Sequence, residues 1–473
     1  MKVIHVTSDA KPILVRRQSS EIIRGQVKAS LKQGLDVAII MPMFKELKDK
    51  LKTEHIGSGY VTINGVEKYV GVEYYTEDNL KFLLIDNMEY FYHDQEFGLD
   101  NDGERFTFFN YAVLETFKII NEYPDIIHLH DWYCGLIPHI LKAKYKYFDE
   151  YINIKTILTI GDITYQGIFP IEMESIFDLP KTPILYLDDK INFLKAGIVE
   201  ADIVTTTSKT FYEDSKNRTL SLPLRFSLRD RAEDYLGILN GIDYEYYNSE
   251  TDPALYYHYS KKDVIKGKAE NKKAFLKEHG FPEKNCMLIG FSSDLNDDKG
   301  MNILTKVLED IITHTDIMFF FMGQGEDRYV DFLHYLADKY PEQFKVYIGK
   351  NSSLTHSLYA SCDMVLQPYR YEAFSQGQVV AMHYGAIPFA HEAGSTKDYI
   401  IPYNQYTDEG NGFSFITDNK DDFLKVFDIA YGLYRFDAPR WNKMIENCVN
   451  QDFSWDTVIK NEIIPLYNKL LNE

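Results

Sequence analysis

Cysteine is scarce in this 473-residue chain: Cys134, Cys286, Cys362 and Cys448 lie far apart, with no CxxC pair. Such spacing excludes a disulfide framework and a cysteine-based zinc site, and it points to reduced, mostly buried thiols. Basic residues are the second shortage. Lys and Arg number 51 against 71 Asp and Glu, a net charge of −20. A field of that sign opposes nucleic-acid backbones and anionic lipid, so neither is expected as a partner. Any anionic ligand must then find a local cationic pocket. No apolar run is long enough to span a bilayer, and the N-terminus opens into a strand pattern with no signal-peptide core. A cytoplasmic location is expected. Solenoid repeats, low-complexity linkers and a P-loop are also missing.

Aromatic residues are plentiful, with 36 Tyr and 30 Phe. Core packing accounts for them, with a sugar-stacking surface as the alternative. The length exceeds one core and suits two domains. Residues 3–8, VIHVTS, have the β-branched bias of a buried parallel strand, followed by a loop and a helix over 21–33 that stops at Gly34. Residues 36–42 form the next strand, and this βαβ opening predicts a doubly wound domain. Short alternating runs over 60–92 predict antiparallel strands inserted into it. Strands are expected at 125–130, 155–160 and 203–207, and helices at 106–121 and 191–201. The acidic, aromatic stretch 248–259 lacks a period and is read as a connection, with a Lys-rich helix over 261–279. Strands at 287–291, 317–322, 345–348, 364–367 and 387–390 then predict a second parallel sheet. The expected layout is an N-terminal domain over 1–245, a connection and helix over 246–279, a second domain over 280–450, and a terminal helix over 451–473 packing back on the first domain. Two such domains facing each other enclose a cleft, the default place for a ligand.

The second sheet holds the most informative stretch, residues 369–378, YRYEAFSQGQ. An apolar strand precedes it, and an apolar helix and another short strand follow. A turn so placed lies at the carboxyl edge of a parallel sheet, and it carries the carboxylate Glu372. His128 and His130, two apart on a strand, share one face. A metal would need further ligands, and the sequence offers no obvious one. The glycines of Gly323–Gly325 lack the full dinucleotide fingerprint.

Taken in order, MKVIHVTSD, HLHDWYCGLIPHIL, TYQGIF, INFLKAGIVEADIVTTTS, LGILNGID, ETDPAL, KAENK, the DKG turn at 298–300, the GQG turn, HYGAIPFA and QDFSW resemble bacterial glycogen synthases and plant starch synthases. The resemblance runs nearly end to end. It implies the α/β GT-B architecture, two doubly wound Rossmann-like domains facing across a cleft. It also implies retaining transfer of glucose from ADP-glucose or UDP-glucose to an α-1,4-glucan, with no metal and no other cofactor. Fixed cations and N–H groups aimed at the departing diphosphate lower such a barrier, by roughly 3–4 kcal/mol for each well-placed donor.

Several family positions are changed. Where the family has a Lys and a Gly-Gly pair in the first loop, this chain has Val15, Arg17 and Gln18. Arg16 and Arg17 either supply charge to a phosphate or form a solvated surface pair. Asp294 stands at the place of an Arg, and Gly161, followed by Asp162, at the place of a His that contacts the sugar. After Glu372 the turn reads Ala373, Phe374, Ser375, Gln376, Gly377. The resemblance assigns catalysis to Glu372, Lys299 and Asp131, and donor binding to Lys299, Glu372, Phe374, Ser375, Gln376 and Gly323, with Arg16 and Arg17. It assigns the sugar and acceptor side to Asp131, Trp132, Gly161, Asp162, Tyr165, Gln166 and Asn240. Asn240 and Gly394 are equally explained as turn residues. Two readings follow. One is a hexosyltransferase with a changed donor or acceptor. The other is a non-catalytic relative whose contacts with glucan or a partner protein matter.

Overall fold

The computed structural model describes residues 1–217 and 223–472. They form two compact units, Met1–Gly241 with Trp455–Glu473, and Ile242–Ser454. Among the described residues no helix is long and apolar enough to cross a membrane.

The first unit is built on strands β1 (Lys2–Val6), β2 (Asp36–Pro42), β3 (Glu54–Ile63), β4 (Val66–Glu77), β5 (Leu80–Asp86), β6 (Ile126–His130) and β7 (Lys155–Ile160). A small sheet of β8 (Ile168–Pro170), β9 (Tyr186–Leu187) and β10 (Lys190–Asn192) precedes β11 (Ile203–Thr206) and β12 (Tyr235–Gly237). The main sheet runs β12-β11-β7-β6-β1-β2-β5-β4-β3. Its centre is parallel, with Val3 opposite both Val37 and Ile126 and His5 opposite His128. Helix Gln18–Lys32 packs on β2, and helix Asp102–Ile120 packs on β3, β4 and β5.

Residues 60–92 hold the end of β3 with β4 and β5, an antiparallel ladder as expected, and the ladder continues the main sheet because β5 pairs in parallel with β2. Phe82, Leu84 and Ile85 are fully buried and Leu83 nearly so. A strand apolar on successive residues is buried on both faces and belongs inside a sheet.

The helical segment 455–472 completes this unit. Trp455, Val458, Ile459, Ile463, Leu466, Tyr467 and Leu470 share a core with Val3, Ala29, Ile126, Ile157 and Ile203. The approach is closest at Gly25 in helix Gln18–Lys32, where a Cβ would lie 2.2 Å from Trp455 Cδ1. Gly25→Ala is therefore expected to lower stability by about 1–3 kcal/mol through overpacking, despite the better helix propensity of alanine. Denaturant midpoints of the two proteins test this, and a more stable variant would refute the packing argument.

The second unit carries β13 (Leu288–Ser292), β14 (Met318–Gly323), β15 (Phe344–Ile348), β16 (Met364–Gln367), β17 (Ile387–His391) and β18 (Phe413–Phe415). They form one parallel sheet in the order β15-β14-β13-β16-β17-β18. The stretch 248–259 packs within this unit. Asp252 accepts from His356 Nδ1 at 2.8 Å, and Tyr259 donates to Tyr384 O at 2.8 Å.

Candidate active site

In each unit the candidate residues gather just beyond the carboxyl ends of the parallel strands, where such sheets bind ligands. In the first unit β6 delivers Asp131, whose backbone is forced to φ 63° and ψ −168°. Positive φ at a non-glycine residue is strain of the kind that collects at functional sites. Its Oδ1 accepts from Gly161 N at 2.7 Å and Asp162 N at 3.2 Å. Burial pushes the Asp131 carboxyl up to about 6, although those two N–H groups pull it down. A Cβ on residue 161 would lie 3.2 Å from both carboxylate oxygens. Gly161 thus allows the carboxylate to lie directly on the β7 turn.

Beside it, β1 delivers Asp9, which the sequence reading passed over. Its carboxylate accepts from Arg17 N at 3.0 Å and Ser19 Oγ at 3.1 Å, at the start of helix Gln18–Lys32. Burial raises the Asp9 pKa, against the charge of Arg17. The Arg17 guanidinium lies 4.3 Å over the Phe97 ring, and its charge also reaches Asp131. Arg16 is committed elsewhere, to Glu46 and, at 3.1 Å, to Glu96. Of the two arginines only Arg17 faces the buried carboxylates. Val15 is 52% exposed, and the side chain of Gln18 lies outside the described residues.

The other acceptor-side candidates divide. Tyr165 is exposed. Asp162 turns its Oδ1 to Thr164 N and Oγ1, at 2.9 and 2.6 Å, and so caps its own turn. Gln166 braces the loop, accepting from Asn192 Nδ2 at 2.7 Å and donating to Ile163 O at 3.1 Å. Trp132 is only 8% exposed, its ring among Phe97, Phe106, Phe169 and Phe193. An indole enclosed by aromatic neighbours supports the wall from behind rather than offering a stacking face. Asn240 donates its N–H to Thr207 O at 3.2 Å and lines a cavity of about 40 Å³ with Asp131, Gly161, His130 and Thr159.

In the second unit, Lys299 and Glu372 form an ion pair. Lys299 comes from the turn after β13, which Asn296 closes by accepting from Lys299 N at 2.9 Å. Gly300, at φ 82°, lets this turn sit against Pro368, whose carbonyl oxygen would be 2.2 Å from an added Cβ. The ammonium lies 4.7 Å from the Tyr369 ring centroid. Burial works against its charge, yet Glu372 outweighs it and holds the Lys299 pKa above the ordinary lysine value. Glu372 is itself fixed through its backbone: its carbonyl accepts from Ser395 N at 2.9 Å, beside Gly394.

The side chains of the rest of this turn face inward or pack against neighbouring segments. Phe374 and Ser375 are each 3% exposed. Phe374 packs 6.0 Å from the Tyr399 ring, and Ser375 Oγ lies 3.1 Å from Ser395 Oγ. Both side chains turn inward against residues 395–399, at the point where the polypeptide enters helix Gln376–His383. Gln376 Nε2 donates to Tyr247 at 3.3 Å. Gly323 serves strand packing, since a Cβ there would meet Ser293 O at 2.0 Å. Asp294 does not stand as an uncompensated anion. Lys350, just after β15, pairs with it at 3.0 Å.

Asp294→Arg removes a negative charge, returns a guanidinium to the strand end and frees Lys350. It is expected to tighten ADP or UDP binding by about tenfold or more, the worth of one added charge-assisted hydrogen bond. Calorimetric titration of the variant with each nucleotide checks this; unchanged affinity would mean that no phosphate sits there.

Asp9, Phe97, Lys350 and His5 are the neighbours that sequence reasoning missed. Asp9 and Lys350 follow strand ends just as Asp131 does, so strand-end position alone was the available signal. Phe97 carried none. His5 lies opposite His128 across the β1–β6 pair and adds a third imidazole to the two expected. Burial lowers His5 and His128 well below the ordinary histidine pKa, and His130 to about 3.

Two Rossmann-like domains with charged residues at the carboxyl edges of their parallel sheets define a glycosyltransferase of the GT-B architecture. Residues 2–221 match the starch synthase catalytic domain, and residues 271–432 the glycosyl transferases group 1 family. A glycogen synthase of Streptococcus agalactiae is 34% identical over 97% of this chain and 97% of its own length. One from Acholeplasma laidlawii is 34% identical over the whole of both chains. The chain belongs to the glycogen and starch synthase family. The catalytic domain of starch synthase IV from Arabidopsis thaliana, solved bound to ADP and acarbose, shares the fold. It has a TM-score of 0.88 at 24% identity, covering 100% of this chain and 99% of that one.

Proposed function

We propose that this protein transfers a hexosyl unit, with retention, from an ADP- or UDP-linked sugar to an α-glucan or related glycan in the cytoplasm. The observation that carries the reading is the Lys299–Glu372 pair over Tyr369 at the carboxyl edge of the second sheet. Breaking the bond between the sugar and the diphosphate loads negative charge on the leaving group, and a half-buried ammonium stabilises that charge far better than water does. The acceptor hydroxyl forms the new bond to the sugar, and its proton leaves with the diphosphate. Glu372 and Asp131 are assigned to sugar hydroxyls, and Arg17 to the phosphate side of the first unit. No metal or other cofactor is assigned a part in this reaction.

Full-length likeness to glycogen synthases supports a transferase over a non-catalytic partner. The departures at Val15, Gly161 and Asp294 support a changed donor or acceptor over unaltered glycogen synthesis. The test is calorimetric titration with ADP-glucose, UDP-glucose and other nucleotide sugars, followed by assay of nucleotide release with maltooligosaccharide acceptors. Saturable binding and acceptor-dependent release with one donor are expected. Silence with every nucleotide sugar would overturn the reading.

A further inference from the structure

Behind Asp131, on the face of the first sheet that receives the helical segment 455–472, three histidines meet. His5 lies on β1, and His128 and His130 on β6. They are 0%, 1% and 5% exposed. One ring nitrogen from each lies within 4.8 Å of the other two. The rings stack, with centroids 4.7 to 5.3 Å apart. Register explains the cluster: residues two apart on one strand share a face, and a parallel neighbour adds a third at the strand spacing.

We propose that His5, His128 and His130 form a binding site for a divalent transition-metal ion of the zinc and cobalt class. Three neutral imidazoles bring three lone pairs to one spot, and three histidines with an open fourth position are a known zinc donor set. His5 Nδ1 and His130 Nε2 are already 3.0 Å apart. Tetrahedral bonds of about 2.0–2.1 Å need roughly 3.4 Å between donor nitrogens, a shift of a few tenths of an ångström. His5 Nε2, on the far side of the ring, is buried with no hydrogen-bond partner among the described residues, so no contact there opposes the small turn that ligation through Nδ1 needs.

His128 must release a contact to join. Its Nδ1 is 2.7 Å from Tyr467 Oη and its Nε2 2.7 Å from Thr159 Oγ1. Thr159 also bonds Thr205 Oγ1 at 2.7 Å, so its hydroxyl keeps a partner if Nε2 turns to the ion. Tyr467 then remains on Nδ1 and holds the ring orientation, as outer partners of metal-bound histidines do. The cavity lined by His130, Thr159, Asp131 and Asn240 is the way in.

The experiment titrates the chelator-treated full chain with Co²⁺, followed by visible absorption. One equivalent is expected to bring up the intense d–d bands of a four-coordinate nitrogen-ligated ion, which Zn²⁺ then bleaches. His5→Phe, which keeps a ring in the core, is expected to lose at least about tenfold in affinity and the four-coordinate bands. Thr159→Val removes the competitor for His128 Nε2 and is expected to bind more tightly. No such bands in the unaltered chain would overturn the proposal, whatever the variants do. So would equal Co²⁺ affinity in a folded His5→Phe, which would place the ion on surface histidines.

Discussion

Lys299→Ala is expected to abolish measurable donor binding and to lower kcat/KM by at least about 10²–10³-fold, the scale for losing one preorganised charge at a leaving group. Lys299 is half-buried beside Glu372, on a turn locked by Asn296 and Gly300. Little reorganisation is then needed when the diphosphate arrives. The family's neighbouring cation is replaced here by Asp294, whose charge is taken up by Lys350. On the proposed reading, Lys299 is the ammonium assigned to the diphosphate, with no cation at position 294 to share its load. Removing it also takes away the ammonium that the Glu372 carboxylate faces, and a modest fall in melting temperature is expected alongside. Parallel titrations of the parent and variant with nucleotide sugars, with turnover measured for both, decide the matter. Binding that survives the substitution would sink the assignment of Lys299 to the diphosphate.

Gly394→Ala is the second large effect. Gly394 has φ 56°, and a Cβ there would lie 2.2 Å from the Glu372 carbonyl oxygen and 3.0 Å from its amide nitrogen. An alanine faces a left-handed backbone cost of about 1–2 kcal/mol. It must also push the Glu372 turn away by roughly 1 Å, a displacement that can cost about 100-fold when it falls on a catalytic group. The variant is expected to fold, to bind free ADP or UDP nearly as the parent does, and to lose about two orders of magnitude in kcat. Full activity would show that contact with Gly394 is not what positions Glu372.

Much of the fold was legible because apolar runs bounded by polar or glycine turns coincide with strands. The stretch 155–160 is β7, and 364–367 is β16. In the hairpin region β3 and β4 alternate like an isolated meander, and β5 shows its parallel partnership with β2 only through continuous burial. β18 is three residues long and leaves no period to detect. In the site, Lys299 and Glu372 could be picked out through family likeness, since both stand at fixed offsets from strand ends. The inward turn of Phe374 and Ser375 could not, because it depends on where the helix after them begins. Trp132 carries the residue type of a sugar platform, and only its neighbours show that it is enclosed. His5 gave no sign by itself; its meaning came from β1 lying next to β6.

The placement of residues 455–472 has a consequence for how the protein is born. Their apolar face covers Val3, Ala29, Ile126 and Ile157 in the first unit, yet the ribosome adds them only after the whole of Ile242–Ser454. At about 5–20 residues per second, the nascent first unit waits on the order of ten seconds or more with that face open. The second unit, continuous in sequence, completes its own sheet in that interval. The half of the molecule that is translated first is thus the half whose core is covered last.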